Sequence, residues 1–198
     1  NIEMQITLDM YKTNFTNQIN PDYYSNPLEI YVGNFENQST SNSLQAEIGM
    51  EILESIGLKV AYNYLDVFHI HDDGEKHTLP FISKHHILNT LSYRPINKKW
   101  YLDFNTHWTG QKKLTNTSSY PVEYQRPDIS DPYWIINGQF TYEILDTEIY
   151  LGCENILNFT QNDPIISSDN PFGPYFDISN IWGPTKGREF YLGLRKSF

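Results

Sequence analysis

The chain has 198 residues, a formal net charge of −10, and 39% hydrophobic residues against 15% aromatics. No run approaches the roughly 18 consecutive apolar residues of a membrane helix, and so acidic a chain argues against a nucleic-acid partner. The aromatic content is too high for a disordered chain, and one cysteine, Cys153, excludes an internal disulfide framework or a Cys-rich metal site.

The sequence starts at Asn1 inside a patterned segment, as expected for the tail of a longer chain. Ile2 to Met10 alternate apolar and polar residues without a break, the mark of a half-buried strand. The same period of two recurs seven times. Leu44, Ala46, Ile48, Met50 and Ile52 share one face, as do Leu58, Val60, Tyr62 and Tyr64. A fourth segment, residues 85–94, is weaker, because Asn89 interrupts the face of Ile87, Leu91 and Tyr93. Trp100 to Trp108 form the fifth and Trp134 to Glu143 the sixth. Ile149, Leu151 and Cys153 mark the seventh, and Phe190, Leu192 and Leu194 the eighth. No segment of comparable length has a 3.6-residue period, so the fold class is all-β.

The connections alternate in length. Glu54–Gly57, Arg94–Lys98 and Leu145–Thr147 are hairpin-sized. The other four connections run to about 15 residues or more, where loops beyond roughly 12–15 are uncommon unless functional, and they are polar. Short turns at one edge and long polar loops at the other match an antiparallel transmembrane β-barrel. Its apolar faces would touch lipid. Glu3, Gln5, Asp9, Glu47, Glu51, Asp103, Glu143 and Glu154 would line a wet lumen. Tyr93 and Trp100 flank a short turn, while Phe68, Trp108, Tyr133 and Trp134 sit at long-loop ends, as two interfacial girdles would. A soluble sandwich or lipocalin-like barrel would show the same alternation with the apolar face inside.

Several residues are candidates for chemistry. His69, His71, Asp72 and His77 form a dense set of potential metal ligands, although their spacing fits no closed zinc pattern and Asp-Asp-Gly is also turn chemistry. His85 and His86 stand at a strand entrance. Asp163, Asp169 and Asp177, with Asn162 and Asn170, offer oxygens to a hard cation or cap loops as Asx turns. Tyr120, Tyr124, Tyr133 and Trp182 could contact a ligand or hold the loops folded. Cys153 reads as a small lipid-facing residue. No nucleophile elbow, HExxH or phosphate-binding glycine loop is present, so no enzyme activity and no cofactor are expected.

Residues Glu148 to Asn158, EIYLGCENILN, resemble the penultimate strand of TonB-dependent outer-membrane receptors. The segments Asn162 to Ile166, Pro171 to Asp177 and Trp182-Gly183-Pro184 resemble their last extracellular loop, and Gly187 to Phe198 their closing strand. The resemblance implies that residues 1–198 are the C-terminal portion of a 22-stranded barrel, comprising its last eight strands. The N-terminal plug that contacts TonB would lie outside this chain. It also implies Gly193 and Phe198 as parts of a barrel-assembly signal, with Lys196 departing from its usual hydrophobic position. The implied partners are TonB, outer-membrane lipid and lipopolysaccharide, the barrel-assembly machinery and an imported ligand. The implied location is the Gram-negative outer membrane, and the implied function is energised uptake of a scarce nutrient, with a siderophore or metal complex favoured. A self-contained eight-stranded barrel with a structural or adhesion role is the alternative.

Overall fold

A computed structural model of the protein describes residues 3–22, 31–34, 38–70 and 74–196. The strands are β1 (Glu3–Phe15), β2 (Ile19–Asp22), β3 (Tyr31–Asn34), β4 (Ser39–Leu53), β5 (Ile56–Ile70) and β6 (Lys76–Thr78). They continue with β7 (His85–Tyr93), β8 (Trp100–Thr109), β9 (Tyr133–Ile144), β10 (Thr147–Glu154) and β11 (Glu189–Lys196). The helical content described is a single 3-10 turn, Val122–Tyr124.

The alternating segments all become strands of one antiparallel sheet, in the order β1-β4-β5-β7-β8-β9-β10-β11. Strand β6 pairs onto the end of β5, and β2 and β3 make a separate hairpin within the first long loop. The three short turns lie at one end of the sheet and the four long connections at the other, as the up-and-down order requires.

Register keeps the two faces apart across the whole sheet. One continuous row runs Met4, Met50, Leu58, Leu91, Phe104 and then Gly138. The opposite face is organised as polar cross-strand pairs. Lys59 meets Glu47 at 2.7 Å, Ser92 donates to Asp103 at 2.6 Å, and Thr90 donates to Asn105 at 3.0 Å. Arg195 meets Glu148 at 2.9 Å. The weak fourth segment has a local explanation. Asn89 does fall on the apolar face, but Thr106 lies directly opposite and its hydroxyl accepts the Asn89 amide at 2.9 Å. The intruding polar group is therefore satisfied within the sheet. Cys153 sits on the same apolar face, between Gly138 and Phe190.

No layer covers that face in the described residues. The buried apolar side chains described are Leu79, Leu114, Tyr120 and Ile166, all in long-loop segments rather than in the sheet. A soluble sandwich would bury the apolar face of its sheet against another layer. The sheet is also open. Apolar-face residues at its edges are far more exposed (Met4 60%, Leu192 74%) than interior ones (Ile48 38%), since edge residues have a neighbouring strand on one side only. The eight strands as described thus do not close on themselves into a self-contained barrel.

Aromatic pairs mark both ends of the apolar band. Tyr93 and Trp100 meet edge-on at 5.7 Å beside the short turns, and Trp108 and Trp134 approach to 6.3 Å beneath the long loops. Strands β4 and β5 have 15 residues each. Their loop-side ends run past the level of Trp108, which pairs with Ile87 and through it with Tyr62. There β1 and β4 pair polar residues on both faces, with Ser41 opposite Thr13 and Asn42 opposite Lys12, while β5 sets Val67 and Phe68 against Ser41 and Thr40.

Candidate functional site

The last long connection, between β10 and β11, is tied at its neck by side chains. Asn155 takes a left-handed backbone (φ 49°), which Asn tolerates better than most residues, and its side chain is buried. Its Oδ1 accepts the Phe159 amide at 3.0 Å, while its Nδ2 donates to the carbonyls of Phe159 (2.7 Å) and Lys186 (3.3 Å). Its own amide donates to Asn137 Oδ1 on β9. Asn158 accepts the Arg188 amide at 2.8 Å. One step further out, buried Gln161 accepts from the amides of Trp182 (2.7 Å) and Gly183 (3.0 Å) and donates to the Asn180 carbonyl. These residues fix where the loop leaves and rejoins the sheet.

Against this loop rests the connection between β8 and β9. Lys112 donates to the Trp182 carbonyl at 2.6 Å, and Asn180 Nδ2 donates to Thr115 Oγ1 at 2.7 Å. Between the two loops lies a cavity of about 340 Å³, lined by Arg126, Asp131, Phe159, Asp163, Asn180 and Trp182 among others. Arg126 Nε and Asn180 Oδ1 are both buried, and neither has a hydrogen-bond partner. Buried polar atoms are normally paired. Both atoms are sealed from solvent, so the cavity meets its contents through other lining groups, among them the exposed Asp131 and Asp163 and the rings of Phe159 and Trp182.

The structure divides the four aromatic candidates into two groups. Tyr133 stacks on Phe159 (centroids 5.0 Å apart, planes 7° apart) with Trp182 at 6.0 Å. Of these three, Phe159 and Trp182 line the cavity and Tyr133 stands behind Phe159. Tyr120 and Tyr124 instead flank Tyr175, at 5.7 and 5.5 Å. Tyr120 is 5% exposed and its hydroxyl donates to Asp177 at 3.4 Å. Burial first, then the Asp177 charge and hydrogen bond, push the Tyr120 hydroxyl up to about 12.

The acidic loop residues also separate. Asn162 and Asp163 line the cavity. Asp177 accepts the Ser179 amide at 2.6 Å, an Asx turn. Asp169 and Asn170 are exposed. His69 and His77 pair across β5 and β6 with rings 5.6 Å apart, while His71 and Asp72 lie outside the described residues. Among the described residues no group of three or more His, Cys, Asp or Glu side chains converges. His85 accompanies Tyr62 (2.7 Å) on the apolar face, and His86 stacks on His107 at 5.7 Å on the polar face. Gly193 lies in β11 opposite Tyr150, and Phe198 is outside the described residues.

Sequence reasoning missed Asn155 and Gln161 as structural clamps and Arg126 as a cavity residue. The spacing of Asn155 and Asn158 at a strand end was a readable sign of left-handed turns. Nothing local distinguishes Gln161 or Arg126, whose partners are far off in the chain.

No protein-family model matches the chain, and no curated protein sequence does. Solved structures do match. The ferric-catecholate import receptor Fiu from Escherichia coli K12 aligns with a TM-score of 0.64 at 12% identity, over 98% of this chain and 25% of its own. The ferripyoverdine receptor of the Pseudomonas aeruginosa outer membrane gives 0.64 at 16% identity, again over 98% and 25%. The copper transporter OprC gives 0.69 at 13% identity, over 98% of this chain and 29% of its own. The chain thus spans about a quarter of the length of the first two. At these identities the likeness is one of fold: the chain is built as a stretch of the β-barrel wall of TonB-dependent outer-membrane receptors, with its long loops attached.

Proposed function

We propose that this chain is the C-terminal portion of a TonB-dependent receptor that imports a scarce nutrient, in the siderophore or metal-complex class, across a Gram-negative outer membrane. The observation that carries the reading is the open antiparallel sheet with one bare apolar face, one paired polar face, and all long loops at one end. Import receptors with that wall, for ferric catecholate and ferripyoverdine, supply the ligand class.

In this reading the chain makes and breaks no bonds. Its apolar face meets lipid and its polar face lines the lumen around a plug contributed by the rest of the protein. The loops capture cargo outside. The cavity between the β8–β9 and β10–β11 loops is the part of the capture surface held by this chain, with Arg126 and Asp163 as its charged lining and Trp182 as the aromatic one. Tyr120 and Tyr124 act by holding Tyr175 and the loop fold. Energy arrives from TonB through the plug. The single-domain adhesion reading has less support, since β1 and β11 stand as the free edges of the sheet.

The test is growth on ferric siderophores under iron limitation in a strain lacking the gene, complemented with wild type or with Arg126→Ala/Trp182→Ala. Restored uptake by wild type and reduced uptake by the variant, at equal outer-membrane abundance, is the expected result. Unchanged uptake of every ferric complex after deletion sinks the substrate class.

A further inference from the structure

Three of the long connections each bury apolar side chains outside the sheet. The β6–β7 connection supplies Leu79, the β8–β9 loop Leu114 and Tyr120, and the β10–β11 loop the fully buried Ile166. The β8–β9 loop folds back on itself, with the Leu114 amide donating to the Asp128 carbonyl at 2.8 Å and the Ser130 amide to the Lys112 carbonyl at 2.9 Å. In the β10–β11 loop Ile166 and Asp177 exchange amide bonds at 2.9 and 3.2 Å.

Two seams join the three connections. At the first, the Phe81 amide donates to the Lys113 carbonyl at 2.8 Å, and the buried Ser83 pairs antiparallel with Lys112. At the second, Asn180 Nδ2 donates to Thr115 Oγ1 at 2.7 Å, with both residues buried. There too Tyr120 and Tyr124 flank Tyr175, and the Tyr120 hydroxyl reaches Asp177. Lys112 belongs to both seams, since its main chain pairs with Ser83 and its ammonium donates to the Trp182 carbonyl at 2.6 Å. Parting the second seam would strand the Asn180 donor where no water reaches it, and a buried donor left unpaired costs more than its bond contributes. Segments that close one another's buried polar groups in this way open together rather than one at a time.

We infer that the β6–β7, β8–β9 and β10–β11 connections form one cooperative unit above the sheet, which opens as a whole and before the strands beneath it. Contacts among the loops carry this, whatever medium surrounds the sheet. On the receptor reading proposed above it has a consequence. A guest seated between the β8–β9 and β10–β11 loops steadies residues 79–84 as well, although none of that stretch lines the cavity.

The test is peptide-resolved hydrogen exchange on the intact protein in detergent, with denaturant raised in small steps below the unfolding of the sheet. The segments holding the Phe81, Leu114 and Ile166 amides should converge on one opening free energy, lower than that of β8, β9 and β10. Thr115→Val takes the acceptor from Asn180 and should speed exchange in all three segments alike, by about tenfold, with the strands unchanged. Lys112→Met removes another tie between the same loops and should give the same pattern. Acceleration confined to the β8–β9 loop in either variant, or three separate opening free energies in wild type, overturns the unit and leaves the receptor reading standing. Loops that exchange only together with the strands overturn it as well. Should a variant fail to assemble, the wild-type curves decide alone. The uptake experiment above tests the receptor reading separately.

Discussion

The ring of Tyr150 lies directly over Gly193, its cross-strand partner, and Tyr191 covers Gly152 two pairs along, on the same face, in the same way. A Cβ at either glycine would fall within the covering ring. The two tyrosines meet edge-on at 6.2 Å, and Tyr191 donates to Gln139 on β9 at 3.0 Å. Aromatic cover of strand glycines is a known way to pin register, and here it pins the last hairpin from both sides.

Gly193→Ala should therefore expel the Tyr150 ring and destabilise the β10–β11 pairing by about 1–3 kcal/mol, the usual range for overpacking. The measurement is the temperature at which the folded band converts on a heat-modifiability gel. If the effect comes from the ring, Gly193→Ala combined with Tyr150→Ala should lose less than the two single changes added together. A purely additive pair would place the role of Gly193 in assembly recognition instead.

Asn89 and Thr106 should behave as a coupled pair. Thr106→Val leaves the Asn89 amide in the apolar band without its acceptor and should cost about 1 kcal/mol, given that polar contacts in membranes are worth on average about 0.6 and up to about 1.7. Asn89→Leu/Thr106→Val together should recover wild-type stability or exceed it. Urea unfolding in lipid vesicles supplies the four corners of the cycle; equal losses in the Thr106→Val single variant and the double variant would refute the pairing.

Asn155→Ala removes three side-chain hydrogen bonds at the neck of the last loop, each of the order of 1 kcal/mol. The expected outcome is a loop that becomes sensitive to external protease between about Phe159 and Lys186 while β10 and β11 remain folded. On the proposed receptor reading, uptake falls with it. Asn155→Asp should be intermediate, because it keeps the acceptor and loses the donor.

Alkaline pH should loosen the contact between Tyr120 and Asp177. The folded Tyr120 hydroxyl titrates near 12 while an ordinary tyrosine titrates near 10, so the folded loop binds this proton more tightly than the unfolded loop does. Its contribution is complete below about 10 and is lost as the pH rises from about 10 through about 12. Tyrosinate absorbance together with loop proteolysis follows the transition. Tyr120→Phe should abolish the pH dependence of cleavage in that window.

The eight strands and their two faces were legible because a period of two repeats locally and register follows from it. Asn89 was legible as an interruption, but its partner Thr106 was not, since the pairing of two residues on different strands depends on the length of the turn between them. The small strands β2, β3 and β6 escaped notice, being 3 or 4 residues each within polar loops. The cavity residues were legible only as a list of aromatics. That Tyr133 sides with Trp182, while Tyr120 sides with Tyr175, is set by how two long loops fold over one another. No periodicity encodes that path.

Apart from the short β6 on β5, every pairing in the sheet joins main strands that follow one another along the chain. The wall can therefore be threaded hairpin by hairpin, and the length of a loop alters nothing about which strands become neighbours. On the receptor reading proposed above, capture surface and membrane wall are thus separately editable: grafting a foreign segment above Asn155 and Arg188 would change what is recognised without moving a single strand of the sheet.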